Sequence, residues 1–106
     1  MSCVFCDIAA GRIGANLVYQ DEHILAFHDR HPRAKVHVLV ITRKHIASLA
    51  ELSPEDSALI GHLTVKLKDI AGLLGLNDGF KTQINTGQAG GQEIPHIHYH
   101  VMSGRT

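Results

Sequence analysis

The run HIHYHVM, residues 96–102, is the feature that most constrains the fold of this chain. Side chains alternate between the two faces of a strand, so Ile97, Tyr99 and Val101 share one face and His96, His98 and His100 the other. The first face needs a hydrophobic cover. The second is a row of imidazoles, which a packed interior does not take up without partners. The segment therefore calls for a sheet whose two faces differ in chemistry.

The rest of the chain supplies such a sheet. LVYQ (17–20) and HILAFH (23–28) are separated only by Asp21-Glu22 and read as a hairpin. VHVLVIT (36–42) is apolar on both faces, as a central strand would be. A long helix follows, with Ser53 at the N-cap, Pro54 at the first helical position and Asp56 placed for a capping box. Leu59, Ile60, Leu63, Leu67, Ile70, Ala71 and Leu74 form its apolar stripe, and Gly75 ends it. In FKTQIN (80–85), Phe80, Thr82 and Ile84 alternate with Lys81, Gln83 and Asn85. The glycine-rich loop TGQAGGQEIP (86–95) leads into the final strand. These elements predict one α+β domain over 1–106, a five-stranded antiparallel sheet with one long helix on one face. On that plan the histidines line the opposite, uncovered face, beside Gln83 and Asn85.

Composition narrows the function classes. Hydrophobic residues are 44% and charged ones 19%, with zero net charge. That balance suits a soluble globular chain and gives no broad attraction to nucleic acid polymers or membranes. No targeting or membrane-spanning pattern is present, and two cysteines are too few for a disulfide framework, so a cytoplasmic protein is expected. Histidine, with 9 copies, is the outlier.

Three readings of the histidine face compete. Solvated filler is the blandest, but three in register beside a glycine-rich loop argue against it. A single three-histidine metal centre is disfavoured because i, i+2 positions spread over roughly 13 Å of strand. Catalysis at phosphorus fits best. A neutral imidazole is a good nucleophile near neutral pH, its neighbours can donate to phosphate oxygens, and glycines let backbone N–H groups approach an anion.

HIHYHVM matches the His-φ-His-φ-His-φ-φ signature and resembles the histidine triad (HIT) superfamily. VFCDI, LAFHDRHP, VHVLVITRKHI, INTG, GGQE and the closing SGR extend the likeness along nearly the whole chain. It is most similar to the Hint branch, homodimeric purine nucleoside phosphoramidases and nucleotide hydrolases whose fold adds a short N-terminal helix. The resemblance implies that His98 is the nucleophile forming a nucleotidyl-imidazole intermediate, that His100 contacts the phosphate and leaving group, and that His96 and His37 support them. It implies a phosphate pocket from Asn85 and the backbone of Gly91 and Glu93, a ribose contact from Asp29, and a base wall from Val4, Phe5, Ile8 and Phe27. Core packing is the ordinary alternative for Phe5 and Phe27. No cofactor is implied for the chemistry itself.

Two departures from that pattern stand out. Many relatives carry serine at Glu93, where a carboxylate side chain would repel phosphate and is expected to point away. Relatives also often continue past the position of Thr106, with a tail that contributes to the partner's substrate pocket. Cys3 and Cys6 form C-x-x-C, a spacing suited to two thiolates on one metal. Superfamily members with this pair resemble zinc proteins, which implies a structural zinc site of Cys3, Cys6, His45 and His96. The enzymatic alternative is the dinucleoside polyphosphate hydrolysis of the Fhit branch, whose triad is usually followed by Pro-Arg, where this chain has Ser103-Gly104-Arg105. A zinc-stabilised nucleotide-binding or interaction module without significant turnover is the alternative from another class. His23, His28, His31 and His62 receive no catalytic role, and His62 is expected to be solvated on the helix's polar face.

Overall fold

All six residues of strand β3 (His37–Thr42) are buried, as a run apolar on both faces requires. The computed structural model describes residues 3–103, so Gly104, Arg105 and Thr106 lie outside the described residues. Around β3 are helix α1 (Val4–Ala9), strands β1 (Leu17–Gln20) and β2 (Ile24–His28), helix α2 (Ser57–Leu73), and strands β4 (Lys81–Gln83) and β5 (His98–Met102). The strands form one antiparallel sheet in the order β1-β2-β3-β5-β4. This is the expected α+β architecture, with the 36–42 run at its centre.

The faces separate as the final strand demands. Ile24, Ala26, Val38, Val40, Tyr99 and Val101 pack with Leu63, Leu67 and Ile70 of α2 in one core cluster. Leu25, Phe27, Leu39 and Ile41 form a second cluster with Phe5 of α1 on the other face. The histidine face is therefore not uncovered. Helix α1 lies against part of it, and His96, His98 and His100 are all buried. A six-residue helix is too short to be stable alone, so the packing of Phe5 holds it. Its N-cap is Cys3, whose Sγ accepts from the Cys6 N–H at 3.3 Å.

Several boundaries differ from the sequence expectation for local reasons. The Asp21 carboxylate accepts from the N–H groups of His23 and Ile24, which draws His23 into the turn, so β2 starts at Ile24. Pro54–Asp56 form a 3₁₀ turn before α2 begins at Ser57. The buried Asp56 carboxylate accepts from the Ser53 N–H at 3.0 Å and pairs with Lys44 at 2.7 Å. Strand pairing of 80–85 is confined to 81–83. In the last segment, β5 starts at His98. Ile97 instead donates its N–H to the Ile46 carbonyl at 2.7 Å, which pins His96 and Ile97 just ahead of the strand. His62 is not simply solvated, because its Nε2 lies 2.7 Å from Asp21 Oδ2 and ties α2 to the β1–β2 turn.

Candidate functional site

Antiparallel pairing sets His100 opposite Leu39 of β3 and Gln83 of β4, and His98 opposite Ile41. The imidazoles of His98 and His100 are 5.0 Å apart, centroid to centroid. Phe5 meets His98 edge-on at 5.1 Å and Phe27 at 5.7 Å, so the two phenyl rings are at once core residues and the wall of a cleft. That cleft, about 1080 Å³, is also lined by Val4, Ile8, Asp29, Asn85, Gly91 and Glu93. All eight residues expected at a nucleotide thus share one cavity with His98 and His100. His37 and His96 are not in its lining.

Backbone groups decide which nitrogen of each imidazole carries the proton. A carbonyl can only accept, so His98 Nδ1–H donates to the His96 carbonyl at 2.7 Å and the Nε2 of neutral His98 is left with its lone pair. By the same logic His96 Nε2–H donates to the Thr42 carbonyl at 2.7 Å, leaving its Nδ1 as the lone pair. The other end is set by a donor. The Arg33 backbone N–H donates to His37 Nδ1 at 3.0 Å, so His37 carries its proton on Nε2, 2.9 Å from His100 Nδ1. His100 accepts there and keeps its own proton on Nε2. Arg33 Nη2 is also 3.3 Å from His100 Nδ1.

Burial favours the neutral form of His100, His37 and His96. It pushes His100 down to about 4, helped by the neighbouring His98, His37 and Arg33. Burial likewise lowers His37 and His96, with Asp29 working the other way on His37 and the Thr42 carbonyl on His96. A neutral His100 is a hydrogen-bond donor and a poor acid at neutral pH. Toward the cleft the row thus offers one lone pair, on His98, beside one N–H, on His100.

The residues expected on the phosphate side differ in which groups they leave free. Gly90 is obligatory, because a Cβ there would lie 2.3 Å from the Thr86 carbonyl oxygen, and Gly91 has a left-handed φ of 78°. The Gly91 N–H, however, donates to the Gln88 carbonyl at 3.0 Å inside the loop. The Glu93 N–H has no protein acceptor among the described residues and is the one that can meet an anion. The Asn85 amide donates to the Gly90 carbonyl at 2.7 Å and accepts from Gln83, which fixes its plane and leaves its second N–H. Asp29 Oδ1 accepts from the His31 N–H at 2.9 Å, and Oδ2 is 3.4 Å from His37 Nε2.

On the far side of His96, the two cysteines gather with two histidines. His96 Nδ1 lies 3.3 Å from Cys3 Sγ, 3.6 Å from Cys6 Sγ and 3.2 Å from His45 Nδ1, and His45 Nδ1 is 3.3 Å from Cys6 Sγ. Tetrahedral ligands at bond lengths of roughly 2.0–2.3 Å stand roughly 3.3–3.8 Å apart. With two thiols and an Nδ1 lone pair fixed by Thr42, the donor set fits zinc. Burial and the neighbouring Cys3 raise the Cys6 thiol, so it does not ionise readily without a cation.

Sequence reasoning missed Arg33, whose backbone and side chain touch two of the four histidines. An arginine after a proline in a polar loop reads as solvated, and only the folded loop brings it under His37. Ile13, Leu39 and Ile94 of the cleft wall were missed as well.

An antiparallel α+β domain with a buried triad row opening on a cleft defines a histidine-triad fold. The HIT domain family model matches residues 10–106, and the chain belongs to that family. It is 48% identical over 101 residues to Protein HitA of Neisseria gonorrhoeae, covering 95% of this chain and 94% of that one. An uncharacterised HIT-like protein of Synechococcus elongatus is 47% identical over 103 residues, covering 97% and 90%. A HIT family hydrolase from Legionella pneumophila superposes with a TM-score of 0.94 at 40% identity, over 99% of this chain and 95% of that one. A histidine triad protein from Clostridium difficile gives 0.94 at 39% identity, over 100% and 93%.

Proposed function

We propose that the chain is a Hint-like hydrolase of purine nucleotide conjugates, phosphoramidates or related α-phosphate esters and anhydrides, acting through a nucleotidyl intermediate on His98. The observation that carries this reading is the 2.7 Å hydrogen bond from His98 Nδ1–H to the His96 carbonyl. It exposes the Nε2 lone pair and stabilises the positive charge that develops on the ring when Nε2 bonds to phosphorus. In the first step the Nε2–P bond forms and the bond from phosphorus to the leaving group breaks with its electron pair, an amine taking up a proton from solvent as it departs. In the second, water attacks phosphorus, the P–Nε2 bond breaks, and a proton passes to solvent.

The remaining residues take supporting roles. His100 Nε2–H and the N–H groups of Asn85 and Glu93 hold phosphate oxygens; with its own N–H engaged in the loop, Gly91 shapes the turn instead. His37 sets the tautomer of His100. Asp29 accepts from ribose hydroxyls, and Val4, Phe5, Ile8 and Phe27 hold the base. Cys3, Cys6, His45 and His96 bind a structural zinc, which when present anchors α1 to the sheet and takes no part in the reaction. The described residues include no helix long and apolar enough to cross a membrane. Free thiols at Cys3 and Cys6 support a cytoplasmic setting. The free edge of β4 and the exposed Val65 and Leu73 of α2 support a homodimer.

The test is AMP release from adenosine 5′-phosphoramidate and from a diadenosine polyphosphate, with wild type beside His98→Ala. Wild type should release AMP and His98→Ala should lose at least about three orders of magnitude with its fold intact. Near-normal activity in His98→Ala would remove the nucleophile. No release from a folded, nucleotide-binding wild type would leave a binding module in its place.

A further inference from the structure

Arg43, the residue after β3, is half-buried and makes no ion pair among the described residues. Its guanidinium instead reaches three neutral acceptors on three segments. Nη1–H donates to the Ala9 carbonyl at 2.9 Å, Nε–H to the Asp21 carbonyl at 2.8 Å, and Nη2–H to Gln20 Oε1 at 3.0 Å. The Arg43 backbone N–H donates to the His23 carbonyl at 2.9 Å. The turn on which this fork rests is itself fixed. The Asp21 carboxylate accepts from the N–H groups of His23 and Ile24 and from the Tyr19 hydroxyl, and lies 2.7 Å from His62 Nε2 of α2. A planar guanidinium held at two corners by that turn presents its remaining edge in one direction, and there it meets the last residue of α1.

That contact completes the helix end. Of the last four carbonyls of α1, Cys6 accepts from the Ala10 N–H, Asp7 from Arg12 and Ile13, and Ile8 from Gly11. Ala9, among the described residues, has Arg43 alone. A helix C-terminus favours a cation, and the last turn of α1 contains no basic residue of its own. The opposite end of α1 is held separately, through Cys3 and Cys6 beside His96 and His45. Between the two ends lie Val4, Phe5 and Ile8, which line the cleft, whereas Arg43 does not. We propose that Arg43 is a positioning residue for the purine: by capping α1 from the end of β3 it fixes the wall against which the base lies. This rests on the reading of the cleft as a nucleotide site. On that reading ribose and phosphate meet Asp29, Asn85 and Glu93, on other segments, so loss of Arg43 loosens the base wall and spares the rest.

Arg43→Met keeps an apolar stem and removes the donors. Hydrogen exchange should show the amides of Asp7, Ala10 and Arg12 opening about tenfold faster than in wild type, with those of α2 unchanged. NMR titration should show AMP bound about tenfold more weakly, and ribose 5-phosphate, which has no base, bound as in wild type. A ratio of AMP to ribose 5-phosphate affinity that stays at its wild-type value overturns the proposal, whether both ligands weaken together or neither does. Equal acceleration of exchange in α2 overturns it too, since Arg43 would then act on global stability alone. If Arg43→Met does not fold, Gln20→Leu decides. At its exposed position on the edge strand β1 it removes one acceptor of the fork, and AMP alone should weaken by about threefold. Unchanged AMP affinity in that variant overturns the proposal. A wild type that binds neither AMP nor ribose 5-phosphate sinks the nucleotide reading itself, and the base-wall role falls with it.

Discussion

Two clusters flank the histidine row, and by donor spacing alone both could hold a metal ion: Cys3, Cys6, His45 and His96 at one end, Asp29, His37 and His100 at the other. Hydrogen bonding tells them apart. At the cysteine end the Thr42 carbonyl takes the proton of His96 Nε2 and turns a lone pair toward the thiols. At the aspartate end the Arg33 N–H occupies the lone pair of His37, so the nitrogen facing His100 carries a proton. A ring cannot ligate through a protonated nitrogen, and the guanidinium beside His100 repels a second cation. Proximity of donor atoms is therefore a poor guide to metal binding until the tautomers are assigned. One end has the donors a cation needs, and the other is taken up by hydrogen bonds.

The largest expected effect breaks the cysteine end. Cys3→Ser/Cys6→Ser should abolish zinc binding, measured by elemental analysis, and lower stability by several kcal/mol, read as a fall in Tm. A strong chelator should reproduce the fall in wild type and do nothing further to the variant. Equal Tm values and no bound zinc in wild type would make the cluster two reduced thiols beside two histidines.

A subtler change attacks the aspartate end. Arg33→Pro deletes the N–H that fixes His37, so the His37 tautomer is released and the His100 N–H is no longer held toward the cleft. Activity should fall by about tenfold to a hundredfold, and the variant should take up a second zinc at Asp29, His37 and His100. Arg33→Gln keeps the N–H and serves as the control for the lost guanidinium. If Arg33→Pro behaves as Arg33→Gln in both activity and metal content, the backbone donor does not distinguish the clusters.

The smallest effect is a pH dependence at that same end. His37 and His100 titrate below the ordinary histidine value of 6.5 in the folded chain, His100 at about 4. The unfolded chain therefore binds more protons in that window, and stability falls as the pH drops below 6.5 toward 4. Between pH 7 and 6 the loss from His100 should stay below about 1 kcal/mol, measured by denaturant titration. A protein more stable at pH 5 than at pH 7 would mean that one of these rings folds protonated.

Much of the fold was legible because it rests on periodicity. The alternation in 96–102, the two-faced run at 36–42 and the stripe from Leu59 to Leu74 each report burial directly, and they place 36–42 at the centre of the sheet. The site was legible in its residue types: His98, His100, Asp29, Asn85 and Phe27 do meet in one cleft. What could not be read depends on backbone groups, which the side-chain sequence does not encode. No residue letter says that the Arg33 N–H reaches His37, that Gly91 uses its N–H inside the loop, or that the Asp21 carboxylate captures His23. The cover of α1 over the histidines escaped for another reason: six residues are too few to show a helical period.

His96 serves two neighbours through different atoms, with its ring among the thiols and its carbonyl on His98. Selection therefore acts on this position twice. In a lineage that discards the cysteines, the imidazole at 96 becomes free to drift to another side chain, since any residue supplies the carbonyl that orients His98. In a lineage that keeps them, a change at 96 would remove one donor from the candidate zinc set, while the carbonyl on His98 would stay.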